Sequence, residues 1–116
     1  MGQGVSESLI EPAAVPEGEL VALDLAIGDE RIAALALRRG ESLQVWHNVC
    51  PHAGRRLDYA PGKFLQHEGR LVCAAHGAQF SLADGACVDG PGRGGRLAAL
   101  AVTRCGDGWT VAATPP

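Results

Sequence analysis

Apolar residues first fall into a period of two at Val21, Leu23, Leu25 and Ile27, with Asp24 on the opposite face. That alternation predicts a half-buried strand beginning near Glu19. Gly28-Asp29 supplies turn residues, and Arg31 to Arg38 then carries apolar residues on both faces, as expected of a more enclosed second strand. The turn Arg39-Gly40-Glu41 leads to a third strand with Leu43 and Val45 on one face. At the far end, Leu97 to Cys105 and Trp109 to Ala113 flank Gly106-Asp107-Gly108, a hairpin turn built from residues that tolerate positive φ. Short strands with turns every eight to twelve residues or so predict an all-β sandwich or small barrel. Residues 48–95 hold few strand signals and many glycines and read as long loops, which in a compact domain point to function. Residues 1–17, with Pro12 and Pro16, read as a flexible leader to a single domain over 18–116.

Composition narrows this picture. The 116 residues suit one domain, and Gly or Pro recurs so often after Gly18 that the longest stretch free of both is Asp29 to Arg39. A bundle of long helices is excluded. With aromatics at 4%, the core must come from Leu, Val, Ile and Ala, a modest supply for this size. No window approaches a membrane-spanning run, and the first residues lack the basic start and apolar core of a signal peptide, so a cytoplasmic protein is expected. A Gly2-to-Ser6 match to the myristoylation pattern is too short to carry weight. The net charge of -3 hides a division: residues 1–30 hold seven acids and no Lys or Arg, whereas all ten bases follow. No Lys/Arg stripe is interleaved with aromatics, so nucleic-acid binding has no support.

Candidate chemistry lies in the loop region. Cys50-Pro51-His52 and Cys73-Ala74-Ala75-His76 form two knuckles separated by residues 53–72, a complete set of two thiolates and two imidazoles. Glycine follows each closely, at Gly54 and Gly77, where backbone N–H groups can then approach an anionic centre. A structural Cys2His2 zinc site is one reading. Such sites commonly pair like with like in each knuckle, however, and here each knuckle is mixed. A mixed pair suits a binuclear 2Fe-2S cluster in which two histidines replace two cysteines on one iron. Gly90 to Gly95 formally matches a dinucleotide-binding pattern, but lacks the strand, helix and downstream acid that it needs, and reads as a glycine-rich loop.

Cys-Pro-His-x-Gly, Cys-x-x-His-Gly-x-x-Phe, the Asp84-Gly85 turn and the Gly90-Pro91 loop together resemble the Rieske iron-sulfur domain over about Gly18 to Ala113. The resemblance implies an all-β fold, an antiparallel β-sandwich or barrel base with a loop-built cluster-binding subdomain over about 48–95. It also implies that Cys50 and Cys73 bind the buried iron of one 2Fe-2S cluster, that His52 and His76 bind the outer iron through Nδ1, and that Gly90-Pro91-Gly92 covers the site. The knuckles stand a few residues further apart than is usual in the family, which places an excursion around Tyr59 to His67.

Departures from the family pattern point to a subclass. Rieske proteins of respiratory and photosynthetic complexes carry two further cysteines and Ser and Tyr hydroxyls near the cluster; the matching positions here are Arg55, Ala75, Ala78 and Phe80. Without those donors the reduced cluster is less stabilised, and a potential toward the bottom of the Rieske range is expected. The resemblance then implies a monomeric Rieske-type ferredoxin, an electron carrier and not itself an enzyme, passing single electrons from a flavin- or NAD(P)H-linked reductase to a terminal oxygenase. A subunit docked to an oxidoreductase, like the small subunit of nitrite reductases, is the alternative; a zinc-stabilised or redox-sensing interaction module is a more distant one. Arg55, Arg56, Arg93 and Arg96, offset by Asp58 and Asp89, are expected around the tip, facing acidic partners. Cys87 and Cys105 read as buried structural thiols, His47 and His67 as non-ligands, and Trp46, Trp109 and Phe80 as packing residues. Tyr59 has no assigned role.

Overall fold

The computed structural model describes residues 7–50, 56–73, 77–90 and 95–112. Among these the regular elements are strands and one 3-10 turn, Pro12–Ala14. No helix among the described residues is long and apolar enough to cross a membrane.

The predicted meander forms one sheet, in which β2 (Leu20–Ile27), β3 (Glu30–Arg39) and β4 (Ser42–His47) pair antiparallel in the order β2-β3-β4. The central strand explains its two-faced sequence. Leu35 and Leu37 on one side join a buried cluster with Trp46, Leu57, Leu71, Phe80, Leu97 and the thiols Cys50, Cys73 and Cys87. Ala34 and Ala36 on the other side join a second cluster with Ile10, Val15, Leu25, Ile27, Val45, Trp109 and Val111. Alternation in β4 follows the same division: Leu43 and Val45 enter the second cluster and Trp46 the first.

The sequence reading of residues 48–95 as long loops is corrected by the largest sheet. Five short strands lie there: β5 (Asp58–Ala60), β6 (Lys63–His67), β7 (Arg70–Val72), β8 (Gln79–Ser81) and β9 (Cys87–Asp89), paired antiparallel in that order. Each has three to five residues, and glycine turns separate several of them, so no alternation runs long enough to be read. Their inward positions, Leu71, Phe80 and Cys87, share one row through the pairs Leu71↔Phe80 and Phe80↔Cys87 and face the β3 leucines. The expected excursion at Tyr59 to His67 is the β5–β6 hairpin, with Tyr59 and Leu65 exposed.

A second correction concerns the leader. Glu7–Ile10 forms β1 and pairs with β11 (Gly108–Ala112), which also pairs with β10 (Ala101–Cys105). Ile10 and Val15 are buried, so residues 7–15 belong to the fold. Their pattern was hidden because only Ile10 of β1 enters the core and the following apolar anchor lies beyond a proline-led turn. The expected strand over Leu97 to Cys105 is regular only from Ala101, because residues 98–100 instead cover the edge of β4. His47 N–H donates to the Ala98 carbonyl at 2.8 Å, and Leu100 N–H to the Val45 carbonyl at 2.9 Å. This seam joins two sheets and blunts an edge. Cys105 is exposed rather than buried: it closes the β10–β11 hairpin opposite Gly108, where the strand end meets solvent.

A buried ion pair fixes the start of the five-stranded sheet. The Asp58 side chain is 1% exposed and accepts Arg56 Nε and Nη2, each at 2.9 Å, while Gly62 N–H reaches Oδ2 at 3.1 Å across the hairpin turn. Arg56 hydrogen bonding holds the Asp58 carboxyl below the usual carboxylate range against the opposing effect of burial, with help from Gly62 N–H.

Two measurements check this architecture. A Cβ on Gly108 would collide with the Ile10 carbonyl, so Gly108→Val should detach β1 and expose residues near Ile10 to limited proteolysis that leaves β3 intact. Asp58→Asn should cost about 1–3 kcal/mol at neutral pH, the range for disturbing a buried charged hydrogen-bond group. Because the folded carboxyl titrates below its unfolded value of about 3.9, its stabilisation is present above that pH and lost as pH falls through the folded value. Urea midpoints of wild type and variant should therefore converge as the solution is acidified.

Candidate metal centre

Two of the four sequence-predicted ligands lie within the described residues, and the fold brings both into one buried cluster. Cys50 follows β4 and is 0% exposed; Cys73 follows β7 and is 1% exposed. Both thiols are free of disulfides. His52 and His76 lie outside the described residues, as do Arg55, Ala75, Arg93 and the Pro91-Gly92 portion of the expected cover.

Backbone and side-chain clamps close each of the three loops concerned. At the first knuckle, Asn48 is fully buried; its N–H donates to the Ala33 carbonyl of β3 at 2.9 Å, and its Oδ1 accepts Leu57 N–H at 2.8 Å. Residues 49–56 are thereby pinned at both ends. At the second, Cys73 N–H donates to the Ala78 carbonyl and Gly77 N–H to the Cys73 carbonyl, each at 2.8 Å. These two hydrogen bonds hold Gly77 and Ala78 against Cys73, with Gly77 at φ 78°, where an L side chain is strained. At the third, Cys87 N–H donates to the Gly95 carbonyl at 2.9 Å and closes residues 88–94.

The third loop lies against the second. A Cβ built on Gly90 would stand 2.9 Å from the Gly77 carbonyl oxygen and 3.1 Å from Ala78 Cα, so backbone meets backbone there. Only glycine permits the approach. Ala78 and Phe80 beside this contact are fully buried and supply no side-chain hydroxyl. The donor set fits an iron-sulfur cluster: two soft thiols, withdrawn from water, at the ends of strands that share a core, with glycine backbone crowded around the second.

Other predicted residues divide clearly. Cys87 is buried, with its thiol 3.5 Å from the Asp89 carbonyl, and Trp46, Trp109 and Phe80 are core residues. His67 is exposed beside Glu68, and His47 donates its N–H to the seam. Arg56, expected as a free cation at the tip, is committed to Asp58 through two hydrogen bonds across the bend at Leu57. Arg96 is exposed. Sequence reasoning passed over Asn48 and took Asp58 only as an offsetting acid; the signals were an Asn next to a cysteine knuckle and an Arg-x-Asp spacing at a strand start.

No curated protein matches the sequence. Among solved structures, the ferredoxin of carbazole 1,9a-dioxygenase from Nocardioides aromaticivorans IC177 is similar at a TM-score of 0.68 and 24% identity, over 92% of this chain and 96% of that one. The Sphingomonas yanoikuyae B1 ferredoxin is similar at 0.65 and 24%, over 93% and 97%. The terminal oxygenase of carbazole 1,9a-dioxygenase from Novosphingobium sp. KA1 matches at 0.71 and 19%; 94% of this chain is covered, but only 30% of the oxygenase. These likenesses agree on the fold. The Rieske [2Fe-2S] domain model matches residues 8–105, spanning β1 through β10 and both knuckles, and the chain belongs to that family.

Proposed function

We propose that this chain is a one-electron carrier that receives electrons from a flavin- or NAD(P)H-linked reductase and delivers them to an oxygenase. Four residues would hold the 2Fe-2S cluster: Cys50 and Cys73 on the inner iron, His52 and His76 on the outer one. When bound, the cluster supplies reversible one-electron chemistry. The observation that carries the reading is the pair of fully buried, disulfide-free thiols at the ends of β4 and β7, in a chain matched by the Rieske model over residues 8–105.

What the polypeptide contributes is placement and exclusion of water. The apolar cluster of Leu35, Leu37, Leu57 and Leu71 backs the two thiols, so the inner side is dry, and the clamped loops limit how far ligands can shift between oxidation states. Electron transfer requires no acid, base or nucleophile, and we assign no catalytic residue. This chain is similar to both ferredoxins named above almost end to end, and to the oxygenase over 30% of that protein's length. We place this carrier in the cytoplasm, as a monomer whose domain comprises residues 18–116 together with residues 7–15, which carry β1 and the buried Val15.

The buried neighbours of the second knuckle bear on the potential. Ala78 and Phe80 offer no hydroxyl to the cluster or its thiolates, and hydrogen bonds of that kind favour the more negative reduced state. A low-potential carrier follows.

Purified protein should be brown, and its reduced form should give the low average g of a His-ligated 2Fe-2S cluster. His76→Ala should abolish that spectrum, as should Cys73→Ala; a colourless protein with stoichiometric zinc would overturn the reading. In a redox titration the midpoint should fall near the low end of the Rieske range, roughly -150 mV. A value well above zero would remove the low-potential assignment while leaving the cluster in place.

A further inference from the structure

Asn48 is a fully buried amide whose hydrogen-bonding capacity is only partly used. Its Oδ1 accepts Leu57 N–H, but Nδ2 has no hydrogen-bond partner among the described residues. The carboxamide is nonetheless near enough to Asp58 to favour the ionised carboxylate. A buried polar group left partly unsatisfied is costly, whereas Leu of similar size would spare the Nδ2 penalty but strip the buried Leu57 N–H of its acceptor. Retaining an amide at such a position calls for a reason other than packing.

The geometry supplies one. The two ends of residues 49–56 are anchored to different sheets: Asn48 N–H to Ala33 of β3 at 2.9 Å, and Asp58, at the start of β5, to Gly62 at 3.1 Å and to Arg56. Asn48 Oδ1 joins these anchors through Leu57. A polar strut thus runs from the half-exposed Arg56 guanidinium through buried Asp58 and Leu57 to an amide two residues before Cys50.

We propose that Asn48 is a positioning residue for the first ligand knuckle, tying the chain before Cys50 to Leu57 so that Cys50 is held where it retains the cluster. The proposal rests on the cluster-binding reading above. Asn48 contacts no reacting atom in this role; it acts through the backbone of Leu57, and the acceptor oxygen is the group that matters.

Holo-protein carrying Asn48→Leu tests it through three readouts: amide exchange at Leu57, loss of visible absorption under excess chelator, and the EPR spectrum of the reduced form. Leu57 exchange and cluster loss should both accelerate about tenfold or more, the size expected for losing one buried hydrogen bond, while amides of β3 keep their protection. The g values should shift with the altered loop. A second comparison separates positioning from general stability. In an Asp58→Asn background, which avoids two neighbouring carboxylates, Asn48→Asp keeps the acceptor and should retain the Leu57 protection and cluster lifetime of that background; Asn48→Leu should lose both. A folded Asn48→Leu protein with unchanged cluster lifetime and EPR overturns the proposal, as does failure of Asn48→Asp to outperform Asn48→Leu. Should Asn48→Leu not fold, Asn48→Asp against the Asp58→Asn background decides alone. If the wild type lacks the His-ligated spectrum, the cluster reading fails, whereas Leu57 exchange still reports on the clamp.

Discussion

Burial of both faces of β3 is the constraint on which the rest of the structure depends. A strand at the centre of a three-stranded sheet must find an apolar partner on each side, and in this chain the two sides do different work. The alanines Ala34 and Ala36 present little bulk, so the closing strands and Trp109 can approach and complete a barrel-like base. The leucines Leu35 and Leu37 project toward the five-stranded sheet, and it is against them that Cys50, Cys73 and Phe80 are buried. The floor beneath the two buried thiols is therefore the reverse side of the base. An aromatic-poor chain gains from this economy, because one strand contributes to two small cores.

Electrostatics near the site follow the same restraint. The one buried carboxylate among the described residues, Asp58, is matched by a two-pronged guanidinium, so the pair adds little net charge beside the core that holds Leu57. Arg56 pays out its positive charge inward. The Asp58 hydrogen bonds raise the pKa of this always-charged guanidinium further, with Asp24 of β2 adding a weaker attraction.

The base was legible in the sequence because its strands are long enough for period two to repeat. Residues 20–47 alternate or saturate with apolar side chains, and Gly28 and Gly40 mark the turns at positive φ. The proposed knuckles stand out for a different reason: cysteine and histidine at close spacing carry chemistry that no periodicity is needed to reveal, and the fold buries both cysteines together. What escaped were features set by tertiary pairing. Strands of three residues such as β7, β8 and β9 exist because neighbours supply their hydrogen bonds, and β1 exists because β11 offers it an edge. Residues 97–100 read as strand from composition, yet Leu97 N–H goes to the Gly85 carbonyl and Ala98 and Leu100 bond to β4 rather than continuing the hairpin. The Asn48 clamp likewise joins positions nine residues apart that only the folded loop brings together.

The contact of Gly90 with Gly77 and Ala78 leaves no side chain between two loops that meet at the second knuckle. Two backbones in direct contact have no rotamers with which to absorb change at one another's positions. Substitutions in residues 77–78 and at residue 90 must then be non-additive, and the two loops form a single unit of inheritance. A change that shifts the backbone at Gly77 or Ala78 is therefore passed directly to Gly90, and the reverse.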